Sequence, residues 1–254
     1  MTPDWTPLDA ELARWAAEGL TLPLWWRDDD AVTTTPQLDQ LTALAEDLDL
    51  PVHLAVIPAG AETALAGHVA AHPHLVPVVH GWAHQNHAPA TEKKAEFRAH
   101  RPLSEILAEA GQGKARLQAL FGAALRPMFV PPWNRIAPEV ASGLPALGFR
   151  ALSTATPRRN PMAAPGLAQV NTHLDPIDWR GSRGLLAPQA LIAQTTALLI
   201  DRREGRADAA EPFGVLTHHL VHDDEIWQFT RALLTRLLAG PSQPWTMPTE
   251  EFQQ

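Results

Sequence analysis

Cysteine is missing from all 254 residues, which excludes disulfides, thiolate nucleophiles and Cys-ligated zinc, so any metal ion must be held by His, Asp or Glu. No segment approaches the ~18 uninterrupted apolar residues of a membrane span. The opening Met1-Thr2-Pro3-Asp4-Trp5 has neither the basic nor the apolar stretch of a secretion signal, and the expectation is a cytoplasmic protein with no membrane partner. Runs of Lys and Arg are also lacking and the net charge is −8, which argues against a nucleic-acid partner and for a small-molecule substrate. Tyrosine is absent too, whereas tryptophan occurs nine times. Trp25, Trp26, Trp82, Trp133 and Trp179 fall inside or beside the polar motifs described below, a pattern expected of aromatic platforms around a site.

What is present is a chain with 45% apolar and 19% charged residues, enough for a substantial core. Its densest chemistry is His80-Gly81-Trp82-Ala83-His84-Gln85-Asn86-His87, three imidazoles in eight residues. His80 and His84 stand four apart. On a helical turn, or a loop coiled like one, that spacing brings both rings to one side, where neutral nitrogens can share a metal ion. A surface turn with two solvated histidines has the same spacing. The apolar residues 75–79 before the motif read as a buried strand, which puts the histidines at a carboxyl strand end, where sites of α/β folds collect.

Along the chain, strand-like and helix-like segments alternate about seven times. Residues 9–19 read as an N-terminal helix. Residues 22–26 form an apolar run that ends in Arg27-Asp28-Asp29-Asp30, three adjacent carboxylates whose repulsion a cation would relieve. Residues 36–48, 62–71, 104–122, 139–147, 188–200 and 225–238 carry helical spacing, and 52–57, 149–153, 167–170 and 213–216 read as strands. Polar residues 88–102 read as an excursion over the rim that could act as a lid, 156–166 as a loop, and 245–252 as a tail. Parallel strands with helices outside, closed or nearly closed into a (β/α) barrel of about seven strands, are expected, with an N-terminal extension over 1–21 and one domain over 22–254.

Five motifs follow strands in order: Arg27-Asp28-Asp29-Asp30-Ala31, His80-Gly81-Trp82-Ala83-His84, Val130-Pro131-Pro132-Trp133, Asp175-Pro176-Ile177-Asp178-Trp179 and Leu216-Thr217-His218. In this order they resemble the motifs of the polysaccharide deacetylase family, the NodB-homology or carbohydrate esterase 4 group. The resemblance covers roughly residues 22–238 and implies a distorted NodB-type barrel and a hydrolase that removes an acetyl group from an amino sugar. It implies a divalent ion, zinc foremost, held by Asp30, His80 and His84, with Asp29 as base and His218 as acid. Trp82, Pro132, Trp133 and Trp179 would line or support the groove, and Asp175 or Asp178 would hold the acid imidazole.

The departures from the family pattern are specific. The aspartate triplet allows a second register, with Asp28 as base and Asp29 as ligand. Val130 stands where the family carries arginine, so orientation of the base falls to Arg126, Arg135 or Arg27. His219 competes with His218 for the acid role, and His87 is left beside the site or on its rim. Two other functions stay open at this point: a glycan-binding module of the same fold without turnover, and another barrel metallo-amidohydrolase using His72 and His74.

Overall fold

The computed structural model describes residues 3–249; the last residues of the expected 245–252 tail lie outside the described part. The chain runs α1 (Thr6–Ala17), β1 (Leu22–Ala31), α2 (Pro36–Asp47), β2 (Val52–Val56), α3 (Thr63–Ala71), β3 (Leu75–His80), α4 (Leu103–Phe121), β4 (Met128–Val130), α5 (Pro138–Gly143), β5 (Ala151–Leu152), β6 (Met162–Ala164), β7 (Leu167–Gln169), α6 (Pro188–Arg203), β8 (Phe213–Thr217), α7 (Asp224–Ala239) and β9 (Ser242–Pro244). Local chemistry sets several starts. Thr35 caps α2 by accepting from the Leu38 N–H, with Pro36 in the first turn. Asp223 caps α7 by accepting from Ile226, with Asp224 and Glu225 following at the positive end of the helix dipole.

One sheet runs in the order β6-β7-β5-β4-β3-β2-β1-β8, with β9 also against β1, and every pairing is parallel except β6 with β7. Alternation along β1 divides the interior in two. Leu22, Leu24 and Trp26 join the large core under the helices, whereas Trp25 faces a second core with Ala55, Val78, Met128, Val130, Ala151 and Ala168. The small side chains on that second face let the sheet curl. Helix α1 is part of the large core: Leu8, Leu12 and Trp15 are buried, and fully burying each such side chain contributes roughly 1.5–3 kcal/mol.

The sheet does not close into the expected barrel. Strands β5 and β7 are two and three residues long, and β7 forms no ladder with β8; the chain after β7 meets β8 through an isolated Leu174–Val215 bridge and hydrogen bonds between His173 and Gly214. Pro161, Pro165 and Pro176 donate no backbone hydrogen bond, so ladders on this side stay short. What contact there is needs Gly214, where an added Cβ would sit 2.7 Å from the Asn171 carbonyl oxygen. The expected 156–166 loop contains β6, and β9 lies between the expected closing helix and the tail, where no element is expected. Residues 88–102 are no free excursion: Ala95, Glu96 and Phe97 are buried, and the Phe97 ring packs edge-on to Phe129 at 4.9 Å. A short apolar insertion in a polar stretch is averaged away when composition is read over a window. No helix among the described residues is long and apolar enough to cross a membrane.

Candidate metal centre and active site

Strand geometry separates the three consecutive aspartates. Asp28 points to the helix side of β1, fully buried, and its carboxylate accepts from the Thr217 hydroxyl at 2.6 Å, the His219 N–H at 3.0 Å and His219 Nδ1 at 2.5 Å. Burial alone would raise its pKa, but His219 and Thr217 outweigh burial and hold the carboxyl below the ordinary range. Asp29 points to the curled face beside Arg27. The buried Arg27 donates from Nη2 to Asp29 Oδ2 at 2.9 Å, and its Nε lies 2.9 Å from Oδ1 without the alignment of a hydrogen bond, so Oδ1 is a buried oxygen with no donor. Arg27 also donates to Ser153 Oγ at 2.7 Å and Asn134 Oδ1 at 2.8 Å, so β1, the turn at 134 and the segment at 153 together fix the Asp29 carboxylate.

Asp30 would alternate away from Asp29 in a regular strand. Instead the β1–β2 register shifts between Asp28 and Ala31, and Asp30 takes φ 77°, which turns its carboxylate to the same cavity. There Oδ1 lies 3.2 Å from His80 Nε2 and 3.4 Å from His84 Nε2, and one ligand atom from each of the three residues falls within 4.8 Å of the others. His80 ends β3, and His84 sits in a loop with φ 54°, so the pair meets through a coiled loop and not a helix. The loop is built around Gly81, at φ 59°, where a Cβ would lie 2.5 Å from Pro132 Cδ and collide with the Glu96 carboxylate. Glu96 accepts from the N–H groups of Trp82, Ala83 and Gln85 at 2.8–3.2 Å and so sets the loop's shape.

The donor set suits a divalent ion. His80 Nδ1 donates to the Val130 carbonyl at 3.0 Å, so in the neutral ring the lone pair is on the Nε2 that faces Asp30. Burial disfavours ionisation of Asp30, yet His80, His218 and His84 outweigh it and hold the carboxyl well below the ordinary range. For His80, burial is overcome by Asp29 and Asp30 and the pKa rises, whereas burial and the neighbouring His80 push His84 down. Two imidazoles and a carboxylate compressed around one point, each perturbed by the others, form a cluster that a cation would replace with direct bonds.

Across the cavity, His218 Nε2 lies 4.0 Å from Asp29 Oδ2, and its ring meets the Trp179 ring edge-on at 4.7 Å. Asp175 accepts from Trp179 Nε1 at 2.7 Å, and burial raises its carboxyl against the opposing effect of His218. Trp133, held at φ 56°, packs on His84 at 4.3 Å between ring centres. The cavity has a volume of about 620 Å³ and is lined by Asp29, Asp30, His80, His84 and His218, with Trp133, Trp179, Asn134, Asp175, Lys94, Arg135 and Arg183 completing the wall. A larger cavity, about 760 Å³, lies beside the starts of β1, β5 and β8, near Pro23, Arg150 and Pro212, and holds none of these residues.

Several expected residues lie elsewhere. Arg126 is at the start of β4 and donates to the Ala123 and Ala124 carbonyls, far from the strand ends where a base would need it. Arg135 lines the cavity, but Arg27 holds Asp29. Asp178 accepts from the N–H groups of Arg180, Gly181 and Ser182, closing a turn rather than meeting His218. His219 belongs to Asp28. Trp82 packs on the large core, Pro132 is buried against Gly81, and His87 is tied through its N–H to the Ala95 carbonyl without lining the cavity. His72 and His74 pair with Glu46 and Asp49 at the opposite end of the sheet. Glu96, Asn134, Ser153, Lys94 and Arg183 were not found from sequence. Only Asn134 had a signal, its place directly after Pro131-Pro132-Trp133.

No protein-family model matches the sequence, and no curated protein matches it. Solved structures do match. A family 4 carbohydrate esterase from Streptomyces lividans in complex with acetate superposes with TM-score 0.54 at 12% identity, over 90% of this chain and 94% of that one. The fold is that of the family 4 carbohydrate esterases. A deacetylase solved with substrate gives TM-score 0.51 at 14% identity over 92% and 97% of the two chains. A family 4 pseudoenzyme from Bacillus anthracis gives 0.56 at 12% identity over 85% of this chain and 60% of that one.

Proposed function

We propose that the chain is a metal-dependent hydrolase that removes the acyl group from an N-acylated amino sugar. The observation that carries this reading is the convergence of Asp30, His80 and His84 to within 4.8 Å, with Asp29 and His218 beside them in one cavity. A divalent ion held by those three residues, zinc being suited to the set, would polarise the acyl carbonyl and acidify a water. Asp29, oriented by Arg27, is placed to take a proton from the attacking water as the water oxygen bonds the acyl carbon. The C–N bond then breaks, and His218 delivers a proton to the departing nitrogen, giving a carboxylate and a free amine. Trp133 and Trp179 offer apolar faces on which a sugar ring can stack.

The test has two arms. Elemental analysis of protein prepared without chelator should find about one divalent ion per chain, lost in His84→Ala and kept in Asp29→Asn. Acetate release from chitooligosaccharides and simple N-acetyl sugars should occur with wild type and vanish with Asp29→Asn. Equal metal content in wild type and His84→Ala would sink the ligand assignment. Val130, in the place of the family's arginine, favours a second reading, a module that binds a glycan without turnover. Ligand binding without acetate release would select it.

A further inference from the structure

The cavity carries cations that the hydrolytic reading does not use. Lys94, Arg135 and Arg183 all line it, and none has a carboxylate within ion-pair distance among the described residues. The three reach the cavity from two separate sides. Arg135 donates to the Lys94 carbonyl at 2.7 Å, which ties the 94–97 segment to the turn that holds Trp133 and Asn134. The charge beside Arg135 is another cation, Arg98. Arg183 comes from the loop after Asp178, its guanidinium 5.5 Å from the Trp179 ring that touches His218. Three aspartates, Asp29, Asp30 and Asp175, balance the three cations, so a divalent ion held by Asp30, His80 and His84 would make the cavity net positive.

A neutral glycan would offer these side chains only hydroxyl acceptors, and leaving three cations unpaired around a partly enclosed cavity gains nothing for it. An oxyanion matches them: Arg forks bind phosphate and carboxylate through paired charge-assisted hydrogen bonds, and Lys adds a point charge. We propose that the substrate is an acylated amino sugar bearing an oxyanion, a phosphate ester or a carboxylate, bound by Lys94, Arg135 and Arg183 while the acyl group meets Asp29 and His218. The proposal rests on the hydrolase reading only for which group is removed.

Binding is therefore measured apart from turnover. Zinc-loaded Asp29→Asn protein is titrated calorimetrically with N-acetylglucosamine, with its 6-phosphate and with N-acetylmuramic acid, and each titration is repeated in the Arg183→Gln and Lys94→Gln/Arg135→Gln/Arg183→Gln backgrounds. At least one anionic sugar should bind about tenfold or more tighter than the neutral one; the preference should shrink with Arg183→Gln and disappear in the triple variant. It should also weaken as salt is raised. Whichever anionic sugar is preferred tells phosphate from carboxylate. Lys94 and Arg183 are exposed, so Arg183→Gln keeps the test valid even if the triple variant does not fold. Equal or undetectable binding of all three sugars, or a preference that survives the substitutions, overturns the proposal even if wild type releases acetate. A cation-dependent preference with no acetate release from wild type keeps it and overturns the hydrolase reading instead.

Discussion

Asp28, Asp29 and Asp30 are adjacent in sequence and sit in three different environments. Alternation sends Asp28 to the helix side and Asp29 to the curled face, and the irregular register at Asp30 returns it to the cavity. Arg27 follows from the same alternation. Two residues before Asp29 and on the same face, it occupies the position from which a guanidinium can reach both carboxylate oxygens. Arg27→Lys keeps the charge but not the fork, so Ser153 and Asn134 lose their donors and Asp29 its fixed orientation. The expected result is kcat/KM on the responsive sugar lower by about 10²-fold with metal content unchanged, since positioning effects of this size follow small displacements. Arg27→Met leaves Asp29 buried without its counter-ion and should cost roughly 3–5 kcal/mol of stability, measured by urea denaturation. An unchanged urea midpoint in that variant would remove the argument that Arg27 is the partner of Asp29.

The unit that presents the histidines is a loop held by a side chain from another segment. Three of its N–H groups converge on the Glu96 carboxylate, while Gly81 gives the room and the positive φ that the turn requires. Glu96→Gln replaces one acceptor oxygen by a donor that faces those N–H groups, and metal affinity, followed by competition with a chromogenic chelator, should fall about 10- to 100-fold. Gly81→Ala should have a larger effect, because its Cβ meets Pro132 as well as Glu96. The histidines were legible in the sequence because four-residue spacing after an apolar run survives any local conformation. The role of Glu96 was not, since an acid in a polar stretch of Lys, Glu and Arg has no pattern that marks it as buried. The Pro131-Pro132 pair announced the exit of β4 from the sheet. That the next two residues, Trp133 and Asn134, both take positive φ, aiming one at His84 and the other at Arg27, depends on contacts distant in sequence.

At the scale of the molecule, the curled face of the sheet has a polar end and a plugged end, and the same strand supplies both. The alternating strands and helices made the parallel α/β layering legible; closure was not, because it depends on how far β5 and β7 extend, and prolines beyond the strands decide that. At the plugged end His53 is wholly buried between Trp25 and Trp245, with ring centres at 5.2 and 5.6 Å. Its Nδ1 donates to the Trp26 carbonyl, and its Nε2 accepts from the Met247 N–H at 2.9 Å, an arrangement open only to the neutral ring, and it fastens the chain after β9. Burial, opposed by the Trp26 carbonyl and assisted by Arg126 and Arg27, lowers its pKa from 6.5 to about 4. Between those values the unfolded chain binds a proton that the folded chain refuses, so stability contributed by the neutral ring is complete above pH 6.5 and falls as the pH drops toward 4. The loss at the low end is about 3 kcal/mol at most. Urea midpoints of wild type and His53→Gln, measured without added metal at intervals from pH 7 to 4.5, should diverge: wild type loses stability across the window, and the variant, less stable at pH 7, loses less. Parallel curves would mean that other groups, such as His222, whose pKa burial also lowers to about 4, carry the whole dependence.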